Sequence, residues 1–358
     1  MKLLAISDAY IPRAVMGRGL ASLKALGIEV EVRPWEHASL VELQQANLAI
    51  EQGGPSAVPL DEALMAGAED VAIVVVQFAP VAERFLERLP ALQVIGVLRG
   101  GWENIAVAAA TQRGVGVINT PGRNARAVAE CTVGLMLAEI RNLARAHASL
   151  KAGDWRRKFP NSQAIPELRG KTVGLIGYGA VGRLVAHYLE AFGSRVVVYD
   201  PYLQADPAPA ERVDLRTLLE TSDIVSLHAR LTPENHGLIG AAELARMKPS
   251  AILVNTARSG LVVEAALVEA LRRRTILGAA LDVFDIEPLR PGHPFLELDN
   301  VTLTPHLAGS SIDAFHGSPE LMAGHLENLL AGRGLVPIVN GVQPRLSFRG
   351  DARRAGLR

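Results

Sequence analysis

The sequence predicts an α/β protein of two domains, each built on a parallel β-sheet. The chain has 358 residues, of which 49% are apolar and 21% charged, and a domain usually takes about 150 residues. Short apolar runs rich in β-branched residues recur along the chain and alternate with segments of helical patterning, which is typical of βαβ units. Runs that are apolar on both faces, such as Val173–Gly177, indicate a sheet covered by helices on both sides.

The first 120 residues predict a smaller α/β domain. Helical stretches such as Pro80–Leu89 separate some of its strands. The candidate strands are Lys2–Ser7, Glu29–Arg33, Val71–Val76, Leu92–Leu98 and Val115–Asn119.

The second half predicts six strands, which is the complement of a full doubly wound nucleotide-binding sheet. They are Val173–Gly177, Val196–Asp200, Ile224–His228, Ile252–Thr256, Gly278–Asp282 and Val301–Pro305.

Between the halves, a helix is predicted from Asn124, a candidate N-cap, to about Leu150. Its stretch Ala127–Ile140 is apolar nearly all round, which indicates burial on more than one side. The pattern alone leaves two readings open: an internal helix between domains, or a subunit interface. Residues 151–170 are predicted to be a connection, and residues 346–358, at the basic end of the chain, a disordered tail.

Composition excludes several function classes. Lys+Arg and Asp+Glu each number 37, so the net charge is zero and the electrostatic footprint of nucleic-acid or anionic-membrane binding is missing. The single cysteine excludes an internal disulfide framework, and no metal site is predicted because the histidines lack metal-ligand spacing. No apolar run reaches the length of a membrane span, and Asp8 and Arg13 interrupt the apolar stretch at the N-terminus. We therefore expect a cytoplasmic protein.

A glycine-rich turn follows the first strand of the second half. Gly177-Tyr-Gly179-Ala180-Val181-Gly182 matches G-x-G-x-x-G, with a strand before it and a helix, Arg183–Phe192, after it. Such a turn brings backbone amides and a helix N-terminus to a pyrophosphate. Asp200 follows Gly182 by 18 residues, where a carboxylate suits a ribose diol and repels a 2′-phosphate. NAD is therefore favoured over NADP, the alternative being a glycine-rich turn with no ligand.

Three ionisable residues follow three later strands. Arg258, Glu287 and His306 come after the strands that end at Thr256, Asp282 and Pro305, and ligands bind beyond the carboxyl ends of such strands. Reduction of a 2-oxo acid needs a proton donor for the carbonyl oxygen, a partner for that donor and a cation for the carboxylate. Taken alone, each of these residues would fit a surface or helix-capping role. Because all three follow strands of the sheet that carries the glycine-rich turn, together they indicate a catalytic set.

In these and other motifs the chain resembles the D-isomer-specific 2-hydroxyacid dehydrogenases, the family of the phosphoglycerate, D-lactate and glyoxylate/hydroxypyruvate dehydrogenases. The segments that carry the resemblance occur in the family's order. They are Asn119–Glu130, Gly174–Gly182 with Tyr199–Tyr202, Ser226–Glu234, Met247–Pro249 with Val254–Gly260, and Ala280–Pro288 with Leu303–Gly309.

The resemblance implies roles for particular residues. Arg258 would bind and polarise the 2-oxo acid, His306 would be the acid/base, and Glu287 its partner. Asp282 and the backbone near Thr256 would hold the nicotinamide carboxamide, and His228 would help to shape the cofactor cleft. The loop Arg99-Gly100-Gly101 would bind the substrate carboxylate through main-chain amides. Independently of the resemblance, Phe78 is expected to border the substrate site because it follows the end of the strand Val71–Val76.

The resemblance also implies two Rossmann/flavodoxin-like domains with a cleft between them. The substrate-binding domain would comprise residues 1–120 and 317–345, and the NAD-binding domain residues 121–316. The 124–150 helix would lie in a homodimer interface. The expected activity is the NAD-dependent interconversion of a small 2-oxo acid and a D-2-hydroxy acid, the alternative being a dinucleotide-sensing corepressor of the same fold. Whether the substrate is phosphorylated stays open, since Arg99, Arg123 and Arg230 could face it or be ion-paired.

Overall fold

The computed structural model describes residues 1–162, 166–344 and 346, and the chain forms two units. Unit 1 comprises Met1–Arg123 and Ile312–Arg358, and unit 2 comprises Asn124–Ser311. These bounds differ by a few residues from those expected from the sequence. The predicted tail, residues 346–358, lies outside the described residues except for Leu346.

Unit 1 is built on a five-stranded parallel sheet in the order β2-β1-β3-β4-β5. This order is that of flavodoxin-like folds. The strands are β1 (Lys2–Ser7), β2 (Glu29–Pro34), β3 (Val71–Val76), β4 (Val94–Val97) and β5 (Gly116–Asn119).

Helices cover both faces of this sheet because its strands are apolar on both. On β1, Leu4 and Ile6 pack into one buried cluster while Leu3 and Ala5 pack into another on the opposite face. The helices of the first segment are α1 (Arg13–Gly19), α2 (Leu40–Gly53), α3 (Glu83–Glu87) and α4 (Val107–Gln112). Helix α3 is therefore shorter than the helix predicted over Pro80–Leu89.

Unit 2 begins with two helices where the sequence predicts one. Helix α5 (Ala125–Ile140) is buried on several sides, and α6 (Leu143–Lys151) has no buried residue. The helix breaks because Asn142 adopts a left-handed conformation with φ of 57°, and the Arg145 guanidinium folds back to donate to Glu139 Oε1 at 2.6 Å. Asn124 is the N-cap residue of α5, as expected, although its side chain makes no capping hydrogen bond within the described residues.

The sheet of unit 2 is parallel, in the order β12-β11-β10-β9-β6-β7-β8. It has seven strands rather than the six expected, because the two-residue edge strand β8 is too short to give a pattern. The strands are β6 (Thr172–Ile176), β7 (Arg195–Tyr199), β8 (Glu211–Arg212), β9 (Ile224–Leu227), β10 (Ile252–Asn255), β11 (Gly278–Leu281) and β12 (Val301–Leu303).

Helices α7 (Ala180–Ala191), α8 (Leu215–Thr221), α9 (Ala241–Leu244) and α10 (Glu264–Arg272) complete unit 2, and α11 (Ile312–His316) and α12 (Ser318–Leu330) return to unit 1. The predicted α/β class with two parallel sheets is thus confirmed. None of the described helices is both long enough and apolar enough to cross a membrane.

Candidate active site

The glycine turn joins β6 to α7, and its glycines do different work. Gly177 has φ of 96°, and a Cβ there would lie 2.6 Å from the Ala229 backbone nitrogen. A Cβ on Gly182 would collide with the Gly177 carbonyl oxygen, whereas a Cβ on Gly179 would meet nothing within 4 Å. Helix α7 then begins at Ala180, so the amides of Ala180 and Val181 lie in its first turn, where backbone N–H groups are unpaired. The turn therefore fits a pyrophosphate, with its open space at Gly179.

Asp200 follows β7 and is held at this turn. Its Oδ2 accepts from the Tyr178 backbone nitrogen at 2.8 Å, and its Oδ1 accepts from that of Tyr202 at 2.9 Å. The carboxylate is thereby fixed beside the glycines, as recognition of a ribose diol requires.

We expect Asp200→Asn to shift the cofactor preference towards NADP, because it removes the charge that repels a 2′-phosphate. The ratio of kcat/KM with NADPH to that with NADH should rise about tenfold. Steady-state kinetics with both nucleotides checks this. Asp206→Asn, at an exposed position of the same loop, should leave the ratio unchanged; an unchanged ratio in Asp200→Asn would remove Asp200 from the ribose site.

A cavity of about 260 Å³ lies within unit 2, beside this turn. His228 lines it, and burial lowers the pKa of His228 to about 4, so its ring is neutral at pH 7. The hydroxyl of Thr256 is buried and pairs with that of Thr132 on α5 at 2.7 Å. The lining residues are Asn124, Val128, Val181, His228, Ala229, Arg230, Leu231, Thr256, Ala257 and Arg258.

Arg258 lies three residues after the end of β10 and is one of the residues that line this cavity. The Asn255 side chain shapes its loop by donating to the Arg258 carbonyl at 2.9 Å and accepting from the Ala257 amide at 3.0 Å. Among the described residues, the exposed Arg258 guanidinium donates only to the Ala257 carbonyl, at 2.7 Å. It therefore keeps donors for a ligand.

Glu287 and His306 form a hydrogen-bonded pair. His306 Nδ1 lies 2.7 Å from Glu287 Oε2, with side chains 52% and 35% exposed. Glu287 is itself oriented, since its Oε1 accepts from the Phe284 amide at 3.0 Å. Among the described residues, Arg258 makes no hydrogen bond or ion pair with either. The structure thus brings two of the three predicted catalytic residues into contact.

Asp282 has a part in this site that sequence reasoning missed. Its buried carboxylate accepts from Thr304 Oγ1 at 2.6 Å and from the amides of Leu307 and Ala308 at 2.9 Å each. These donors flank His306, whose φ is 49°. The observed partners of Asp282 therefore hold the loop that carries His306, while a contact with the nicotinamide carboxamide stays a prediction. In the sequence, only the position of Asp282, directly after β11 and before the loop that carries His306, could have indicated this role.

The loop predicted to bind the substrate carboxylate lies in unit 1, after β4. The guanidinium carbon of Arg99 lies 5.2 Å from the centroid of the Phe78 ring. Arg99 is also ion-paired, with its Nη2 atom 2.6 Å from Glu51 Oε1. Gly100 is exposed with open space around it, whereas a Cβ on Gly101 would collide with the Glu103 carboxylate. Glu103, which sequence reasoning did not single out, thus lies over the loop. The backbone of Gly100 is the more accessible part.

No cluster of three or more His, Cys, Asp or Glu side chains able to hold a metal occurs in residues 1–162, 166–344 and 346. The one cysteine, Cys131, is half-buried on α5, where burial and the charge of Asp282 raise its thiol pKa to about 11. It is therefore protonated at neutral pH.

Comparison with known proteins places these features in a family. Residues 133–308 match the model of the NAD-binding domain of D-isomer-specific 2-hydroxyacid dehydrogenases. Glyoxylate reductase from Thermofilum pendens is 42% identical over 260 residues, which are 71% of this chain and 77% of that protein. D-3-phosphoglycerate dehydrogenase from Methanocaldococcus jannaschii is 40% identical over 284 residues, or 78% of this chain but 53% of that longer protein.

The chain is also similar to a solved structure. The TT0316 protein from Thermus thermophilus matches with a TM-score of 0.68 and 33% identity, over 95% of this chain and 100% of that one. The glycine turn, Asp200 and the open space at Gly179 fit the NAD that the family model specifies. The chain therefore belongs to the NAD-dependent D-isomer-specific 2-hydroxyacid dehydrogenases, as the sequence motifs predicted.

Proposed function

We propose that this enzyme interconverts a small 2-oxo acid and the corresponding D-2-hydroxy acid with Arg258, Glu287 and His306 as its catalytic set. The observation that carries the proposal is the 2.7 Å pair between His306 Nδ1 and Glu287 Oε2, on a loop that Asp282 holds. This is the arrangement of an acid/base histidine with an orienting carboxylate.

His306 exchanges a proton with the substrate oxygen. Because Nδ1 faces Glu287, Nε2 is the atom left to act. In the reducing direction, Nε2 gives its proton to the carbonyl oxygen as negative charge develops there, and in the oxidising direction it takes the hydroxyl proton. Glu287 fixes the orientation of the ring through its hydrogen bond to Nδ1. NAD, when bound, supplies or accepts the hydride.

Arg258 orients the acid. A guanidinium offers two parallel donors to a carboxylate, and the donors of Arg258 that do not contact Ala257 point to a ligand role. In unit 1, the amides of Gly100 and Gly101 would bind a carboxylate of the substrate, with Arg99 and Phe78 supporting the loop.

The cofactor would lie along the glycine turn. The pyrophosphate would contact Gly177, Gly179 and Gly182 and the amides of Ala180 and Val181, while Asp200 would accept from the ribose. His228, Thr256 and Asp282 would surround the nicotinamide; because His228 is neutral at pH 7, it would add no cation there.

We also propose a cytoplasmic homodimer that associates through the α5–α6 segment. Helix α6 has no buried residue, and it exposes Leu143 and Leu150 by 55% and 56%. Trp155, which follows it, is 79% exposed. Large apolar side chains grouped in this way are typical of a protein–protein interface. Light scattering on the purified enzyme should give twice the chain mass.

The decisive experiment mixes the enzyme with NADH and a panel of 2-oxo acids and follows the loss of reduced-nicotinamide absorbance. The panel contains glyoxylate, pyruvate, hydroxypyruvate, 3-phosphohydroxypyruvate and longer acids, with His306→Ala as the control. We expect turnover of at least one acid and loss of that turnover in the variant. Tight NADH binding with no turnover of any acid would contradict the proposal and favour a dinucleotide-sensing role.

A further inference from the structure

A cluster of rings and cations in unit 1 lies outside the catalytic set. Tyr10 stacks on Phe315 at 4.6 Å between ring centroids and meets Phe78 edge-on at 5.6 Å. An arginine packs on the ring at each end of this row: Arg99 over Phe78 at 5.2 Å and Arg123 over Phe315 at 4.8 Å.

The two arginines differ in their partners. Arg99 is ion-paired with Glu51 at 2.6 Å and contacts Glu103 at 3.5 Å. Arg123 donates to the Ala314 carbonyl at 3.3 Å. Across the described chain, no carboxylate oxygen lies within 4 Å of its guanidinium. Arg123 is therefore the cation of the pair that lacks an anion.

The surroundings of Arg123 make this lack costly. Burial and the charge of Arg99 lower its pKa to about 10, so it stays charged at pH 7. The charge of Asp8, which follows β1, raises the pKa of Arg123, but Asp8 forms no ion pair with it among the described residues. The Asp8 Oδ1 atom instead accepts hydrogen bonds from the amides of Tyr10 and Ile11. A largely buried cation without a close anion is unfavourable, and a ligand anion would relieve it.

Buried polar atoms at the same edge of the sheet also lack partners. Gln77, directly after β3, is fully buried, and within the described residues neither atom of its side-chain amide has a hydrogen-bond partner. Because buried polar groups are nearly always satisfied, these atoms point to a polar ligand at the carboxyl edge of the unit 1 sheet.

Arg123 is also tied to the loop that we assign to the substrate carboxylate. Asn119 Nδ2 donates to the Gly100 carbonyl at 2.7 Å, and the Thr120 amide donates to the Arg99 carbonyl at 3.1 Å. The Arg123 amide in turn donates to the Thr120 carbonyl at 3.4 Å. The backbone of segment 119–123 is therefore anchored to that loop.

We propose that Arg123 binds a second acidic group of the substrate, so that the preferred 2-oxo acids carry a carboxylate or phosphate at the end remote from the reacting carbonyl. This inference rests on the proposed function. It makes Arg123 a specificity-determining residue, with Arg99 reserved for holding the loop.

The test compares acids matched in chain length. 2-Oxoglutarate is paired with 2-oxopentanoate, and 3-phosphohydroxypyruvate with hydroxypyruvate. In the wild-type enzyme, kcat/KM should be at least about tenfold higher for the doubly acidic member of one pair than for its partner. A preference in the 2-oxoglutarate pair would identify the second acidic group as a carboxylate, and a preference in the 3-phosphohydroxypyruvate pair would identify it as a phosphate. Arg123→Gln should remove about 10- to 100-fold of this preference through KM, as expected for a charged hydrogen bond, and Arg123→Lys should restore part of it.

Controls separate binding from structure. Arg84→Gln, which removes an 88% exposed arginine of the same unit, should leave the preference unchanged. A merely structural Arg123 would lower kcat/KM equally for both members of a pair. That result, or a wild-type enzyme with no preference in either pair, would overturn the inference, even if Arg123→Gln fails to fold. If no 2-oxo acid is turned over, the proposed function fails, and calorimetry of NADH-loaded protein with 2-oxoglutarate and 2-oxopentanoate still decides whether the anion site exists.

Discussion

Replacing His306 with glutamine is expected to lower kcat about 100- to 10,000-fold while leaving the Kd for NADH within about twofold of the wild-type value. Glutamine keeps a polar side chain of similar reach, but it cannot exchange a proton near neutral pH. Glu287→Gln should cost less, because it leaves the imidazole in place and removes the charge 2.7 Å from Nδ1. Steady-state kinetics with the best 2-oxo acid, together with fluorescence titration of NADH, measures both effects.

The matched control is His187→Gln on α7, where the side chain is 77% exposed. It should change neither quantity. If His306→Gln kept more than about a tenth of wild-type kcat, another group would have to protonate the substrate, and the acid/base assignment would be wrong. If NADH binding were lost together with kcat, His306 would instead serve the cofactor.

The glycine turn gives the second large effect, and it separates folding from cofactor binding. Gly182→Ala should lower the Tm by several degrees and weaken NADH binding by about 100-fold or more, because its Cβ collides with the backbone of Gly177. Gly179→Ala should leave the Tm of the nucleotide-free protein unchanged, since its Cβ meets nothing within 4 Å. It should nevertheless weaken NADH binding about tenfold or more, because that space is where the pyrophosphate would lie.

Thermal denaturation and NADH titration of both variants check these expectations. Gly324→Ala, in the interior of α12 in unit 1 and also with open space around it, is the control: it should leave NADH binding unchanged and should not lower the Tm, because alanine is the better helix former. Unimpaired NADH binding in Gly179→Ala would contradict the placement of the pyrophosphate. An unchanged Tm in Gly182→Ala would show that the helix can move away from the strand at little cost.

The parallel fold was predictable because its signals are local. Each strand is a run of apolar, often β-branched residues, such as Val71–Val76, and such runs need no knowledge of distant partners. The glycine turn was predictable for the same reason, since its spacing lies within six residues of sequence. The meeting of Glu287 and His306 followed from topology, because the carboxyl ends of parallel strands share one edge.

Features that depend on long-range pairs were not predictable. The helix pattern continues through Asn142, and the break there is accompanied by contacts with distant residues: the Asn142 side chain donates to Asn161, and Arg145 donates to the Asp299 carbonyl. The positive charge of Arg99 looked available to a substrate, yet Glu51, 48 residues away along the chain, neutralises it. Tertiary contacts of this kind override what a local pattern indicates.

The three hydrogen bonds that Asp282 accepts have a consequence for the energetics of the reaction. They hold the segments on both sides of His306 through contacts within the chain itself. The loop therefore loses its conformational entropy when the chain folds, and not when cofactor or substrate binds. Binding energy from the substrate is then free to lower the barrier to proton transfer, and the preorganised imidazole needs little rearrangement to reach it.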